Sequence, residues 1–274
     1  MKLSVMIKLL YICIGTLVAS YCALLIFVFL FSDKLIFPCP KSSYVAIKNL
    51  QYIQLPNAKK IATLFLENKS SDICVIYSHG NGEDLGKILP VLEQYQKRGV
   101  NIFAYDYCGY GLSDANPTES DLPVYADCVY NHVVNKLKFA PEKIVFVGYS
   151  LGSVPTAYLA KTHPEAKCAV IVGGVANGIK TILPFDPIPW SVLKNVDNVA
   201  QIKIPTLFFH GTKDKVVHIR NLYENLNAIK APYRFVKYHG FGHRGFPDTP
   251  EYWSEVFNFI NAKKYEKCSV IDVR

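Results

Sequence analysis

The sequence predicts an α/β domain with a mostly parallel central sheet flanked by helices, preceded by one apolar helix long enough to cross a membrane. Three observations predict it. Short apolar runs rich in β-branched and aromatic residues recur at 73–78, 101–105, 143–147, 168–172, 206–210 and 233–238, separated by segments long enough for helices. A serine flanked by glycines, Gly148-Tyr149-Ser150-Leu151-Gly152, joins one such run to a stretch whose larger apolar residues return at helical spacing. Residues 9–31 are 23 positions without a charge.

In chain order, that uncharged stretch comes first. At about 1.5 Å per residue it extends roughly 35 Å, enough for a bilayer core with some tilt. A cleaved signal peptide is the competing reading. Its apolar region would be shorter, about 7 to 15 residues, and would end in a small-residue cleavage site rather than Asp33-Lys34. The chain therefore divides into a membrane anchor at 1–33 and a catalytic domain at 34–274, with a short cap segment at about 174–205. Lys2 and Lys8 lie before the apolar stretch and Lys34, Lys41 and Lys48 after it, so flanking charge leaves the side of the membrane undecided.

Residues 44–66 alternate apolar and polar positions around a turn at Pro56-Asn57, the pattern of paired edge strands. The β/α array follows. Thr118-Glu119-Ser120-Asp121 reads as a capping-box-like helix start, and Thr249-Pro250-Glu251 as an N-cap, a first-position proline and an early acid ahead of 253–260. Pro155 fits the first turn of the helix after Ser150, where its missing N–H has no carbonyl to serve.

Composition excludes several functions. The net charge of +8 is scattered without a basic block, and neither a nucleic-acid motif nor a phosphate-binding glycine motif is present. The eight cysteines contain no C-x-x-C; Cys13 and Cys22 fall in the anchor and Cys74 and Cys168 in strand-like runs, as small core residues would. Cys39, just past the anchor, is a possible S-acylation site.

A serine hydroxyl is a poor nucleophile and needs a base, an acid to orient that base, and donors for the oxyanion. Gly148 and Gly152 permit the tight strand-to-helix turn that would expose Ser150 as the nucleophile. Among later histidines, His163 precedes a proline and His210 ends a strand, whereas His239 and His243 lie at the loop GFGHRG between the run 233–238 and the final helix. His243 is the chosen base, because the preceding glycine lets the loop turn its ring towards the neighbouring strand ends. Reading the pair as H-x-x-x-H metal ligands needs a helix that Gly240, Gly242 and Gly245 oppose, so no metal or cofactor is expected. Asp214, directly after the run 206–210, is the candidate acid; Asp186 and Asp197 fall in the irregular cap segment. The loop His79-Gly80-Asn81-Gly82, together with the N–H of Leu151, offers oxyanion donors.

The stretches SHGNGEDLG, YDYCGYGLSD, GYSLGSVPT, FFHGTKDKVV and GFGH resemble the corresponding motifs of the α/β-hydrolase superfamily. With KLIFPCPKSSY after the anchor, the chain is most similar to the membrane-associated branch that includes protein depalmitoylases. The similarity covers residues 34–260. It implies an α/β-hydrolase fold with Ser150 as nucleophile, Asp214 as acid, His243 as base, and Asn81 and Leu151 as backbone oxyanion donors. Residues 106–113 would be structural. One departure stands out: depalmitoylases are held on membranes by acylated cysteines, whereas this chain has a hydrophobic helix. The resemblance favours a cytosolic catalytic domain.

The expected function is hydrolysis of an ester or thioester through an acyl-enzyme, with an S-acylated protein or a lipid ester as substrate and the bilayer as partner. The rivals are a serine peptidase of the same fold and a catalytically inactive membrane scaffold. A peptidase would want acids in its cap to hold a peptide amine, and residues 174–205 contain only Asp186 and Asp197.

Overall fold

The computed structural model describes residues 2–56, 59–182, 186–190 and 192–273. It begins with α1 (Lys2–Ile36), a single unbroken helix long and apolar enough to cross a membrane, with none of its most apolar stretch buried. No turn separates residue 33 from 34; the helix runs on to Ile36, and Phe37 enters the protein core.

β1 (Leu50–Gln54) and β2 (Lys60–Leu66) then pair antiparallel, with Tyr52 opposite Ala62. Of the turn expected between them, Asn57 lies outside the described residues. The alternating array follows: β3 (Cys74–Ser78), α2 (Leu85–Lys97), β4 (Asn101–Tyr105), α3 (Asp121–Asn135), β5 (Ile144–Tyr149), α4 (Ser153–Thr162) and β6 (Cys168–Val172). The chain continues through α5 (Gly178–Ile182), α6 (Val196–Val199), β7 (Thr206–Gly211), α7 (Arg220–Ala228), β8 (Tyr233–Tyr238), α8 (Pro250–Ile260) and β9 (Cys268–Val273). Among the described residues these strands form one sheet in the order β1-β2-β4-β3-β5-β6-β7-β8-β9. β2 is antiparallel to both neighbours, and every pair from β4 to β9 is parallel. This is the α/β-hydrolase fold that the alternating runs predict.

The strands are near-continuous apolar runs because both faces of the sheet are covered. Successive side chains serve opposite faces: Cys74, Ile76, Ile144 and Phe146 enter one core with residues of α3, α4 and α7, whereas Val75, Tyr77, Val145 and Val147 enter another with residues of α2 and α8.

Two local expectations are corrected. The run 233–238 is the last that the sequence analysis reads as a strand, yet β9 follows α8; it carries no strong apolar run, and its residues alternate between exposed and half-buried. At Thr118 only part of a capping box forms: α3 starts at Asp121, whose carboxylate accepts the Thr118 N–H at 3.2 Å, while Ser120 makes no side-chain cap. The second start behaves as expected, with the Thr249 hydroxyl accepting the Tyr252 N–H at 3.3 Å and Pro250 at the first helical position.

The sharpest feature is the join between β5 and α4. Ser150 takes φ = 53°, a left-handed conformation costly for a residue with a Cβ, and a 3-10 turn at Ser150–Gly152 leads into the helix. The turn packs so closely that a Cβ on Gly152 would overlap the Ser78 carbonyl of β3, and one on Gly148 would overlap the Gly152 carbonyl. Overpacking typically costs ~1–3 kcal/mol, and these neighbours are backbone with little room to move. Gly152→Ala should therefore destabilise the protein by about 3 kcal/mol or more. Gly82→Ala, which has nothing within 4 Å of the added methyl, should shift stability by less than about 0.5 kcal/mol. Thermal unfolding in detergent checks the contrast.

Candidate active site

The C-terminal ends of β3, β5, β6, β7 and β8 lie along one edge of the sheet, where open parallel sheets place their sites. Three side chains meet there. Ser150 Oγ is 2.9 Å from His243 Nε2, and His243 Nδ1 is 2.7 Å from Asp214 Oδ2. All are sheltered: Asp214 has no exposed side-chain surface, and His243 keeps 8%.

Each member is positioned by its own loop. The strained turn pushes Ser150 up from the end of β5. After β7 the chain folds back so that the N–H groups of Val216 and Val217 donate to Asp214 Oδ1 at 2.8 and 2.9 Å, leaving Oδ2 for His243. Burial disfavours the Asp214 carboxylate, but the His243 hydrogen bond and charge and the Val217 N–H outweigh it and hold its pKa below the ordinary 3.8. A depressed carboxylate contributes stability that is present above its unfolded pKa and lost as pH falls through the folded value. Asp214 thus stays an anion wherever an imidazole titrates, and its acceptance from Nδ1 leaves Nε2 facing the serine.

The rejected histidines have other partners. His210 is fully buried and its Nε2 donates to the Val217 carbonyl at 2.8 Å, bracing the loop that carries Asp214. His239 Nε2 is 2.8 Å from Asp272 Oδ1 of β9, and His163 Nδ1 is 3.2 Å from Glu165.

Asn81 and Leu151, the residues expected to offer backbone donors, line the same cavity as Ser150. The Asn81 side chain is tied on both sides, its Nδ2 donating to the Ile36 carbonyl and its Oδ1 accepting from Tyr110 OH at 2.5 Å. Beneath that loop, Asp106 accepts from Tyr44 OH at 2.5 Å and from Leu85 N–H at 2.8 Å, and His79 Nε2 lies 3.4 Å away. Burial opposes a charge on His79, yet the Asp106 carboxyl raises its pKa above the usual 6.5. Asp106, at the start of the turn 106–113, thus ties the loop 79–82 to Tyr44 and the start of α2.

Sequence reasoning missed Tyr149. Its OH donates to the His243 carbonyl at 3.0 Å and its ring lies 5.1 Å from the imidazole, so it braces the histidine loop. Its place beside Ser150 in the glycine-flanked motif was the available signal. Sequence reasoning also missed α1: Val28, Ser32, Leu35 and Ile36 line the cavity at Ser150, opposite Ile179, Val192 and Leu193 of the cap. The cavity holds about 340 Å³ and is mostly apolar.

In the cap, Ile188 is buried and Trp190 meets Phe29 edge to face at 6.2 Å, whereas Pro184 and Phe185 lie outside the described residues. Asp186 is occupied by Asn177 Nδ2 at 2.9 Å, and Asp197 pairs with Lys194. No acidic residue lines the cavity among the described residues. Cys39 is partly buried beside Gly109, and burial raises its thiol pKa.

A doubly wound sheet with a serine on its elbow, and a histidine and an acid on later loops, defines a class of enzyme. The chain has the α/β-hydrolase fold, and the family model for the alpha/beta hydrolase fold matches residues 74–201. The mouse alpha/beta hydrolase domain-containing protein 17C is 29% identical over 203 residues, a match covering 70% of this chain and 61% of the relative. The human protein 17B is 26% identical over 213 residues, covering 74% and 72%. Among solved structures, an esterase of Pyrococcus furiosus superposes with TM-score 0.68 at 20% identity, over 81% of this chain and 97% of that one. The mouse alpha/beta hydrolase domain-containing protein 10 gives 0.58 at 17% identity, over 76% and 96%. These two likenesses concern the fold.

Asp214→Asn keeps a hydrogen-bond partner for His243 but removes the charge that stabilises an imidazolium, and should lower kcat on the order of 10⁴-fold, as in other serine triads. Asp197→Asn should leave kcat unchanged. Steady-state ester hydrolysis by the two variants decides between these carboxylates.

Proposed function

We propose that the protein is a membrane-anchored serine hydrolase that cleaves an ester or thioester of a long acyl chain, carried by a protein cysteine or a lipid. The observation that carries this reading is the Ser150–His243–Asp214 relay opening into an apolar cavity of about 340 Å³. In the first half-reaction His243 Nε2 takes the Ser150 proton as Oγ attacks the acyl carbon. Collapse of the tetrahedral intermediate breaks the C–S or C–O bond, and the leaving group takes that proton from the imidazolium. Water then attacks the acyl-enzyme by the same route and frees Ser150. The backbone N–H groups of Asn81 and Leu151 receive the oxyanion, each such donor being worth on the order of 3 kcal/mol of barrier.

An acyl chain suits the apolar lining. At ~0.8 kcal/mol per buried methylene, four added carbons improve transition-state binding by up to about 3 kcal/mol. A peptidase fits less well, because a peptide amine would find no acid among the described lining residues. An inactive scaffold fits less well too, since it needs neither the strained serine nor the hydrogen-bonded relay.

Full-length protein in detergent should hydrolyse acyl esters and thioesters with rates that rise with chain length, and should label with a fluorophosphonate. Ser150→Ala should abolish labelling, and Ser150→Ala or His243→Ala should cost several orders of magnitude in turnover. Activity that survives Ser150→Ala but is lost to a chelator overturns the mechanism. Rates that peak at acetyl or butyryl overturn the long-chain assignment.

A further inference from the structure

The helix α1 is longer than a membrane anchor needs to be. Its 35 residues extend about 52 Å, against ~30 Å for a bilayer's hydrocarbon core and ~40–45 Å with the headgroup regions. The surplus is not idle. Leu25, Val28, Ser32, Asp33 and Ile36 are the less exposed positions along its last part, and all but Asp33 are spaced three or four residues apart on one face. Val28, Ser32 and Ile36 of that face line the cavity at Ser150. Further up the helix, Tyr21 OH donates to the Pro187 carbonyl of the cap at 2.7 Å, and Phe29 packs on Trp190. At the base, Asp33 Oδ1 accepts the Glu119 N–H at 2.9 Å and the Ile36 carbonyl receives the Asn81 side chain.

Two properties of the same segment meet here. Ile26, Phe27 and Leu30 remain exposed, so the outer face of this stretch is apolar while its inner face is cavity wall. An outer face of that kind belongs in lipid or at its boundary. Val28 thus belongs both to the apolar span and to the cavity beside the serine.

We infer that the last part of α1 is a specificity-determining wall of the substrate site: Val28, Ser32 and Ile36 contact the acyl chain of the bound substrate while the same helix stands at the lipid boundary. The inference rests on the hydrolase reading above. It assigns the anchor a second role, because a chain drawn from the bilayer stays against apolar surface from the membrane to Ser150. A domain cut free of α1 keeps the relay but loses one side of its acyl site.

The test uses the full-length chain in lipid nanodiscs and compares kcat/KM for p-nitrophenyl palmitate and butyrate. Val28→Trp and Ser32→Trp fill the cavity from the α1 side and should lower the palmitate-to-butyrate ratio tenfold or more. Ile26→Trp, the same substitution on the outer face, should keep that ratio within twofold of the unsubstituted chain. Labelling of Ser150 by a small fluorophosphonate verifies that each variant retains its active site. Where Val28→Trp fails to label, Val28→Ala removes apolar contact without added bulk and should lower the ratio threefold or more. Ratios within twofold for the labelled Val28 and Ser32 variants overturn the wall while leaving the hydrolase reading intact. An unsubstituted chain that neither labels nor hydrolyses either ester overturns both.

Discussion

The structure depends on one close approach, the backbone of Gly152 against the Ser78 carbonyl. β5 already lies beside β3 with Gly148 opposite Ser78, and this contact presses the turn that carries Ser150 down onto the end of β3, where the loop 79–82 begins. The cost is a left-handed φ at Ser150 and two positions that exclude any side chain. The gain is geometric. A serine on a strained elbow stands clear of its own helix, and Asn81 and Leu151 line the same cavity beside it. Parallel strands on both sides then deliver the remaining groups from their own C-terminal ends, which is why an acid after β7 and a base after β8 reach the same point.

Two buried carboxyl groups hold the loops around that point. Asp214 is fixed by two backbone N–H groups and by His243, and Asp106 by Tyr44, Leu85 and His79. A buried carboxylate without partners would be costly, so each must collect donors from several segments, and collecting them orders those segments. Asp214 orders residues 214–217 and the histidine loop. Asp106 ties the segment after α1, through Tyr44, to the start of α2 and the loop of Asn81. The precision of the relay is thus a by-product of satisfying buried charge.

Much of this was legible in the sequence because the informative residues were constrained locally. Most inner strands are buried on both faces and appear as apolar runs, and β4 and β6 match the observed bounds residue for residue; β8 does so too, although Arg234 and Lys237 interrupt its run. The elbow was legible because only glycine fits on either side of Ser150. β9 was not, since an edge strand with a half-exposed face carries no such run. The capping box at Thr118 misled because the carboxylate could serve the chain before the helix without the hydroxyl serving the chain within it. Tyr149 and α1 were missed for a different reason. An aromatic next to the serine and an apolar helix each look self-sufficient in one dimension, and only the tertiary arrangement shows what they face.

The coupling between anchor and cap follows from Glu119. It leads into α3, its N–H donates to Asp33 near the end of α1, and its Oε1 accepts the Leu193 N–H of the cap at 2.6 Å. Burial raises its carboxyl pKa above the ordinary 4.5, and the Leu193 N–H that it accepts opposes that shift. One residue therefore joins three parts: the long apolar helix, the cap segment, and the body that carries Ser150, His243 and Asp214. A tether alone would leave the domain free to turn about its stalk. Three-way attachment fixes the cavity against the face of the helix, so that the direction of α1 and the direction in which Ser150 faces are set together.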